Sequence, residues 1–285
     1  EYSTHIVDAT MNMIQNGDAL LSISGSNPDL MGGLDPDIVG KMQTRHLNIA
    51  SKVGEQVTTN AINWCVVAAA GEAWAQKIFP DLSLEQAQEK LWKAIFETCR
   101  IDQPDPVTAW QKHIDNMKER AKYMQSKQFT ALHYKGPGTD FTLGLPSGHR
   151  WISAQSMAQN GVPFTANMPT EEVFTLPDRN HADGVVTSTF PLSYGGTLIE
   201  DFQVTFENGR ITKVTAKKGE AALQKLIDTD EGSHHLGEVA LVPASSPIAQ
   251  RGHLFYNTLF DENASCHIAI GRAYRFTLTG GEELN

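Results

Sequence analysis

The stretch GHLFYNTLFDENASCHIAIGRAYRF, residues 252–276, sets several ionisable side chains into a mostly apolar run. They are Asp261, Glu262, His267, Arg272 and Tyr274. Burying such groups without partners carries a large free-energy cost. The segment must therefore pair these groups with others or use them in a functional site.

Two further carboxylates stand at the edges of apolar segments upstream: Glu172 in NMPTEEVFTLP and Glu238 in HLGEVALVP. We expect both to converge on metal ions with groups of the 252–276 stretch, which gives the candidate ligands Glu172, Glu238, Glu262 and His267. Carboxylates with few imidazoles suit zinc, cobalt or manganese. They also favour a pair of ions, because one carboxylate can bridge two cations. No HExxH zinc helix occurs in the sequence.

Each candidate ligand also has a simpler interpretation. Glu171 and Glu172 could be a solvated pair, and on a strand they would face opposite sides. Of the two we expect Glu172 to be the ligand, and Glu171 to be solvated or to lie behind the ligands. Glu238 could be a charge at the end of a strand, and Glu262 could cap a turn. His267 could be a hydrogen-bonded core histidine.

Cys266 beside His267 suggests a nucleophilic cysteine with its base. Adjacent residues on a strand point apart, so we do not expect a thiol nucleophile here. Asp261 is expected to cap a turn.

From about residue 126 onward the sequence favours strands over helices. Short segments are separated by glycine and proline, as in KGPGTD, GLPSGHRW and SYGG. Asn208-Gly209 follows an alternating run and predicts a β-hairpin. Residues 222–227 are typical of one short helix. We predict a β-rich α+β domain over residues 126–285.

The first part of the chain favours an α/β domain over residues 1–125. Buried strands are predicted at residues 19–23 and 64–70, with an amphipathic helix at residues 36–53 between them, which is the rhythm of a parallel sheet covered by helices. Ser83 and Gln86 form a capping-box pattern before a helix. After a break at residues 102–106, apolar residues repeat at helical spacing from Trp110 to Met124, and we expect them to pack in a core. Glycine-rich phosphate-binding motifs are absent.

Net charge, apolar runs and cysteine content disfavour several classes of partner and of location. The formal net charge of −10 disfavours nucleic acid and anionic membrane surfaces. No apolar run reaches the roughly 20 residues of a membrane helix. Three cysteines without a CxxC pattern favour a reducing cytoplasm over a disulfide framework.

Several motifs in order resemble one known family. NMPTEEVFTLP, SYGGTLIEDF, HLGEVALVP and LFDENASCHIAIGRAY, with GTDFTLGLPSGHRW upstream, are similar to the thermophilic metalloaminopeptidases of the aminopeptidase T and S type. GDALLSISGSNPDL and AWAQKIFPDLSLEQA resemble the family's N-terminal domain, so the match spans the whole chain. The resemblance implies a homodimer that releases N-terminal amino acids from peptides.

The resemblance also implies the site. Glu172, Glu238, Glu262 and His267 would bind two divalent ions, with Glu238 as the bridge and cobalt, zinc, magnesium or manganese as the metal. Tyr274 would be the family's active-site phenol. The family has a further His-x-Asp ligand pair downstream of this tyrosine, whereas the sequence stops at Asn285 before such a pair. We therefore expect the remaining ligands, and the opening of the N-terminal domain, to lie outside the given sequence.

The expected chemistry is peptide hydrolysis by a metal-activated water. A carboxylate near the metals, for which Glu172 is one candidate, would carry the proton to the leaving amine, while Tyr274 would hydrogen-bond the tetrahedral intermediate. The alternatives are a non-catalytic or inactive fragment with a structural acidic cluster, and another two-metal hydrolase such as a phosphoesterase. The acidic balance and the lack of Lys or Arg beside the ligand motifs disfavour anionic substrates.

Overall fold

The computed structural model describes residues 4–283. The α-helices in this range are α1 (His5–Gln15), α2 (Pro36–Thr58), α3 (Glu72–Ile78), α4 (Leu84–Thr98), α5 (Pro106–Lys127), α6 (Glu220–Ile227) and α7 (Thr258–Asp261). The strands are β1 (Leu20–Ser24), β2 (Trp64–Ala68), β3 (Ala131–Gly136), β4 (Thr139–Gly144), β5 (Gln155–Met157), β6 (Pro163–Thr165), β7 (Val173–Thr175), β8 (Ala182–Thr187), β9 (Leu192–Tyr194), β10 (Thr197–Ile199), β11 (Gln203–Glu207), β12 (Arg210–Thr215), β13 (Leu236–Leu241) and β14 (His267–Ile270).

The first two strands form the predicted parallel pair, with Leu20 opposite Trp64. The prediction that the first strand is buried is wrong. Leu21 and Ile23 lie on one face of β1 and are 64% and 67% exposed. An apolar run predicts burial on both faces of a parallel sheet, but nothing among the described residues covers this face.

Helices α4 and α5 form as their sequences predict. Ser83 and Gln86 make both hydrogen bonds of a capping box at the start of α4. The second helix, α5, begins with Pro106 at its first turn and is capped by the Asp105 side chain, which accepts a hydrogen bond from the Thr108 N–H. Its apolar stripe, from Trp110 through Ile114 and Met117 to Ala121, is buried.

The β-rich half is built on a five-stranded sheet with the order β12–β11–β8–β4–β3. Asn208-Gly209 forms the predicted hairpin between β11 and β12, and both residues have positive φ. Helix α6 includes residues 222–227, where the sequence predicted a short helix. A separate three-stranded antiparallel sheet has the order β14–β13–β7, and this smaller sheet positions the candidate site.

Two hydrophobic cores hold these elements together, and both cross residue 126. Trp110 and Met117 of α5 pack with Phe141 and Phe206 of the five-stranded sheet in the larger core. The smaller core joins α3 and α4 to residues 248–264 near the other end of the chain. The domain boundary at residue 126 stays a prediction, because packing continues across it.

None of the described helices combines the length and apolar character that crossing a membrane requires.

Candidate metal centre

Each strand of the three-stranded sheet contributes one candidate ligand. Glu172 directly precedes β7, Glu238 lies within β13 and His267 begins β14. The register places Ala240 of β13 opposite His267, and Leu241 opposite Val173. Residues far apart in sequence therefore meet on neighbouring strands.

The three side chains form a compact group. His267 Nε2 lies 2.9 Å from Glu172 Oε2 and 3.7 Å from Glu238 Oε1. One nitrogen or oxygen from each residue lies within 4.8 Å of the others. Glu172 is buried, whereas Glu238 and His267 keep some exposure, which leaves the group accessible from one side.

The hydrogen bonds of the imidazole indicate what this group lacks. His267 Nδ1 lies 3.0 Å from the Ser265 carbonyl oxygen, so in the neutral imidazole Nδ1–H donates and Nε2 keeps its lone pair. Nε2 and Glu172 Oε2 are both buried, and among the described residues neither has a hydrogen-bond partner besides the other. Two acceptors 2.9 Å apart repel each other unless the imidazole gains a second proton or a cation lies beside both. A backbone acceptor on one ring nitrogen with the other free is the usual arrangement of a metal-binding histidine. The residues therefore fit a divalent cation.

The electrostatics of the metal-free group reflect this concentration of charge. Burial alone would lower the pKa of His267, but Glu172 and Glu238 raise it well above its usual value. Burial raises the pKa of Glu238, and the charge of Glu172 adds to the effect. Without a metal ion, these side chains therefore bind protons, which neutralise the carboxylate charge that a bound cation would otherwise neutralise.

The remaining candidate ligand, Glu262, lies beside this group without being part of it. It begins a 3₁₀ turn that directly follows α7. Burial and then the charges of Glu172 and Glu238 raise the pKa of Glu262 to about 8, while His267 opposes them. Glu262 is therefore close enough to interact electrostatically with all three ligands of the group.

Tyr274 lies within electrostatic range of the same carboxylates. Burial and then the charges of Glu238, Glu262 and Glu172 raise the pKa of Tyr274 to about 12. Its ring stacks on Phe276, with centroids 5.1 Å apart. The phenol therefore keeps its proton at neutral pH and can donate a hydrogen bond.

Asp261 holds a turn, as its sequence context suggests. Its two carboxylate oxygens accept hydrogen bonds from the backbone N–H groups of Phe255 and Asn257, at 2.7 and 3.0 Å. Tyr256 between them has a φ of 55°. Both carboxylate oxygens of Asp261 thus serve this loop.

Sequence reasoning missed Asn263, which joins two ligand-bearing segments. The side chain is completely buried; Oδ1 accepts from the Glu171 N–H at 2.7 Å, and Nδ2 donates to the Leu259 carbonyl at 3.2 Å. Its own carbonyl accepts from the Ser246 hydroxyl at 2.7 Å. The sequence carried no signal for this role, because only the structure shows that the amide is buried and must therefore be satisfied.

The structure corrects the prediction that Glu171 is solvated or lies behind the ligands. This side chain is buried on the opposite side of the chain from Glu172, where Oε1 lies 2.7 Å from Arg100 Nη2. Arg100 follows the end of α4 and has a φ of 58°, in the region that favours glycine. No local pattern predicts this pair, because its members are far apart in sequence.

The three cysteines have different surroundings. Cys266 is exposed, and its sulfur lies 3.4 Å from the Val242 nitrogen and 3.5 Å from the Val242 oxygen. Cys99 is buried, and burial raises the pKa of its thiol to about 12. Burial also raises the pKa of Cys65. The expected separation of Cys266 and His267 agrees with these contacts.

Buried carboxylates around one histidine, on a small sheet within a β-rich half, are typical of metal-dependent hydrolases. The family model described as thermophilic metalloprotease (M29) matches residues 1–285. The chain belongs to this family.

Individual relatives agree with this assignment. The chain is 47% identical over 285 residues to aminopeptidase AmpS of Bacillus subtilis (strain 168), covering all of this chain and 70% of that protein. It is 46% identical over 266 residues to aminopeptidase T of Thermus thermophilus, covering 93% of this chain and 65% of that one. The structure of wild-type AmpT from Thermus thermophilus superposes with a TM-score of 0.91 at 42% identity, covering 99% of this chain and 70% of that chain.

The predicted resemblance to metal-dependent aminopeptidases is confirmed at the level of the family. The chain spans about two thirds of the length of these relatives, from 65% to 70%.

Proposed function

We propose that the chain hydrolyses the N-terminal peptide bond of peptides, using two divalent ions held by Glu172, Glu238, Glu262 and His267. The observation that carries the proposal is the convergence of Glu172, Glu238 and His267, whose ligand atoms lie within 4.8 Å of one another, with His267 Nε2 2.9 Å from Glu172 Oε2. The relatives named aminopeptidases support the substrate class. Zinc, cobalt, manganese and magnesium all accept carboxylate ligands, and zinc and cobalt also suit imidazole.

The residues divide the work according to their surroundings. Bound divalent ions would supply an activated water and polarise the scissile carbonyl. Glu238 lies on β13, the central strand of the smaller sheet, and the family resemblance makes it the candidate ligand that two ions would share. Glu172 or Glu262 would pass the proton to the leaving amine, and Tyr274, which keeps its proton, would donate to the oxyanion.

A metal titration tests the ligand assignment separately from activity. The chain is stripped with chelator and dialysed against each of the four metals, and its metal content is measured. We expect His267→Gln to lower metal affinity by more than about 100-fold, because even outer-sphere partners contribute roughly 10- to 100-fold. His133→Gln is the matched control, since that histidine is exposed on β3. Equal metal content in the parent and His267→Gln would refute the site.

Hydrolysis of a leucine chromogenic substrate tests the reaction. We expect activity that is lost with chelator and restored by cobalt or zinc. A chain that binds metal but leaves this substrate intact would favour the non-catalytic alternative, and cleavage of a phosphoester instead would favour a different two-metal hydrolase.

We further propose that the protein acts as a homodimer in the cytoplasm. The family resemblance supports the dimer, and the three unpaired cysteines support a reducing compartment. Light scattering after gel filtration measures the oligomeric state, and a monomer would refute the dimer.

A further inference from the structure

A polar cavity lies at the Glu171–Arg100 pair. Its volume is about 290 Å³, and its polar lining comes mainly from Arg100, Lys112, His113, Arg120 and Glu171. We propose that this cavity binds a dianionic phosphate group. Neither the metal-binding residues nor Tyr274 line it.

Helix α5 and the end of α4 supply the positive charge. Lys112, His113, Asn116 and Arg120 project from one side of α5, beside the buried stripe that packs into the core. Arg100 extends from the end of α4 and also donates to the Thr98 carbonyl at 3.3 Å. These cationic side chains are grouped around one cavity although the chain as a whole has a net charge of −10, which indicates an anionic ligand.

The charges around the cavity do not balance. Arg100, Lys112 and Arg120 are cationic, and Glu171 is the only carboxylate among the described residues that line the cavity. Glu171 is paired with Arg100, while neither Lys112 nor Arg120 lies within salt-bridge distance of an acidic group in the part of the chain that the structure describes. Burial, and then the charges of Arg100 and Arg120, lower the pKa of His113 to about 4. This ring therefore stays neutral. Two positive charges therefore remain, which match a dianion.

The shape of the cavity suits a small oxyanion. The Arg100 and His113 side chains are 20% and 9% exposed and form its floor, whereas Lys112 and Asn116 are exposed at its rim. The volume is at the lower limit of typical ligand pockets, which favours a phosphate over a whole nucleotide. Planar guanidinium groups suit the paired oxygens of phosphate, and Asn116 and Ser245 add neutral polar groups.

The backbone conformation of Arg100 is a further feature of this cavity. Arg100 lies just after the end of α4 and has a φ of 58°. Glycine adopts this left-handed conformation at a lower free-energy cost than other residues do. The charged side chain at this position contacts Glu171 at 2.7 Å and lines the cavity.

Calorimetric titration with inorganic phosphate tests the site on the metal-free chain, where the metal centre cannot bind the probe through a cation. We expect saturable binding that Arg120→Gln weakens about tenfold or more, since a lost charge-assisted hydrogen bond corresponds to roughly that factor. Lys122→Gln is the matched control: it removes one charge from the same helix, but its side chain is 79% exposed. Lys112→Gln provides a second variant if Arg120→Gln does not fold.

The outcomes separate the possibilities. Sulfate binding and weak acetate binding would support recognition of a dianion, and phenyl phosphate would show whether the phosphate can belong to a larger molecule. Absence of saturable phosphate binding, or an equal loss in Lys122→Gln, would refute the site. Both results are independent of whether the metal centre hydrolyses peptides.

Discussion

Glu171 and Glu172 are adjacent in the chain, but their carboxylates serve opposite sides of it. Glu171 is paired with Arg100 at 2.7 Å, and Glu172 lies 2.9 Å from His267 Nε2. The alternation of side chains along an extended segment produces this division. A buried ion pair and a candidate metal ligand are therefore fixed by the same short piece of backbone.

The metal should stabilise the fold most at high pH. Glu262, with a pKa raised from 4.5 to about 8, and His267, with a pKa well above 6.5, both bind protons more strongly in the folded metal-free chain than when unfolded. The free energy of unfolding of the metal-free chain therefore falls as pH rises through this range. Bound metal displaces the protons, so chelation should lower the melting temperature more at about pH 8 than at about pH 6. Thermal melts with and without chelator measure this, and an equal effect at both pH values would contradict it.

Tyr274→Phe should reduce turnover roughly 100-fold while leaving metal content unchanged. The variant removes one hydroxyl that keeps its proton beside the carboxylates, and a single oxyanion donor contributes about this much. The turnover number and metal content are measured together. Tyr123→Phe, at a tyrosine that is 59% exposed, is the control. Unchanged turnover in Tyr274→Phe would remove this residue from the mechanism.

Asn263→Ala should lower the free energy of unfolding by about 2–3 kcal/mol and weaken metal binding. It leaves the buried Glu171 N–H without an acceptor, which carries a desolvation cost of this size. Denaturant unfolding and metal titration measure the two effects. The matched control is Asn160→Ala, because Asn160 also accepts from a backbone N–H, that of Val162, but in an exposed turn. A loss of stability with intact metal affinity would show that Asn263 does not position the ligands.

His113→Gln should make stability less sensitive to acid. Burial and the charges of Arg100 and Arg120 lower the pKa of His113 from 6.5 to about 4. The unfolded chain therefore binds the proton first as pH falls, and the parent protein should lose about 2 kcal/mol from this group between about pH 7 and pH 5. Glutamine can still donate to the Thr170 carbonyl that His113 contacts at 2.7 Å. Urea unfolding at both pH values gives the difference; identical pH slopes for parent and variant would count against it.

Sequence patterns predicted the elements that are stabilised by contacts between residues close together in the chain. The capping box at Ser83, the stripe beginning at Trp110 and the turn at Asn208-Gly209 each depend on residues that are neighbours in sequence. The grouping of Glu172, Glu238 and His267 was also expected, because the motifs that carry them resemble one family. The roles of these residues stay proposals until metal is measured.

Long-range packing was the part that sequence reasoning did not reach. Arg100 meets Glu171 across some seventy residues, and no pattern near either residue indicates the other. The exposure of Leu21 and Ile23 was mispredicted for a related reason, since an apolar strand does not reveal which of its faces another element covers. Asn263 was missed because an amide has the same sequence signature in a turn and in a buried contact.

The unequal surroundings of the thiols give experimental access to the centre. Maleimide reagents attack thiolates, so the exposed Cys266 should label well before Cys65 or the deeply buried Cys99. A fluorophore or nitroxide attached there would lie one residue from His267, directly before β14 and at an exposed position. Quenching or relaxation by paramagnetic cobalt would then report occupancy of the site directly, without any substrate.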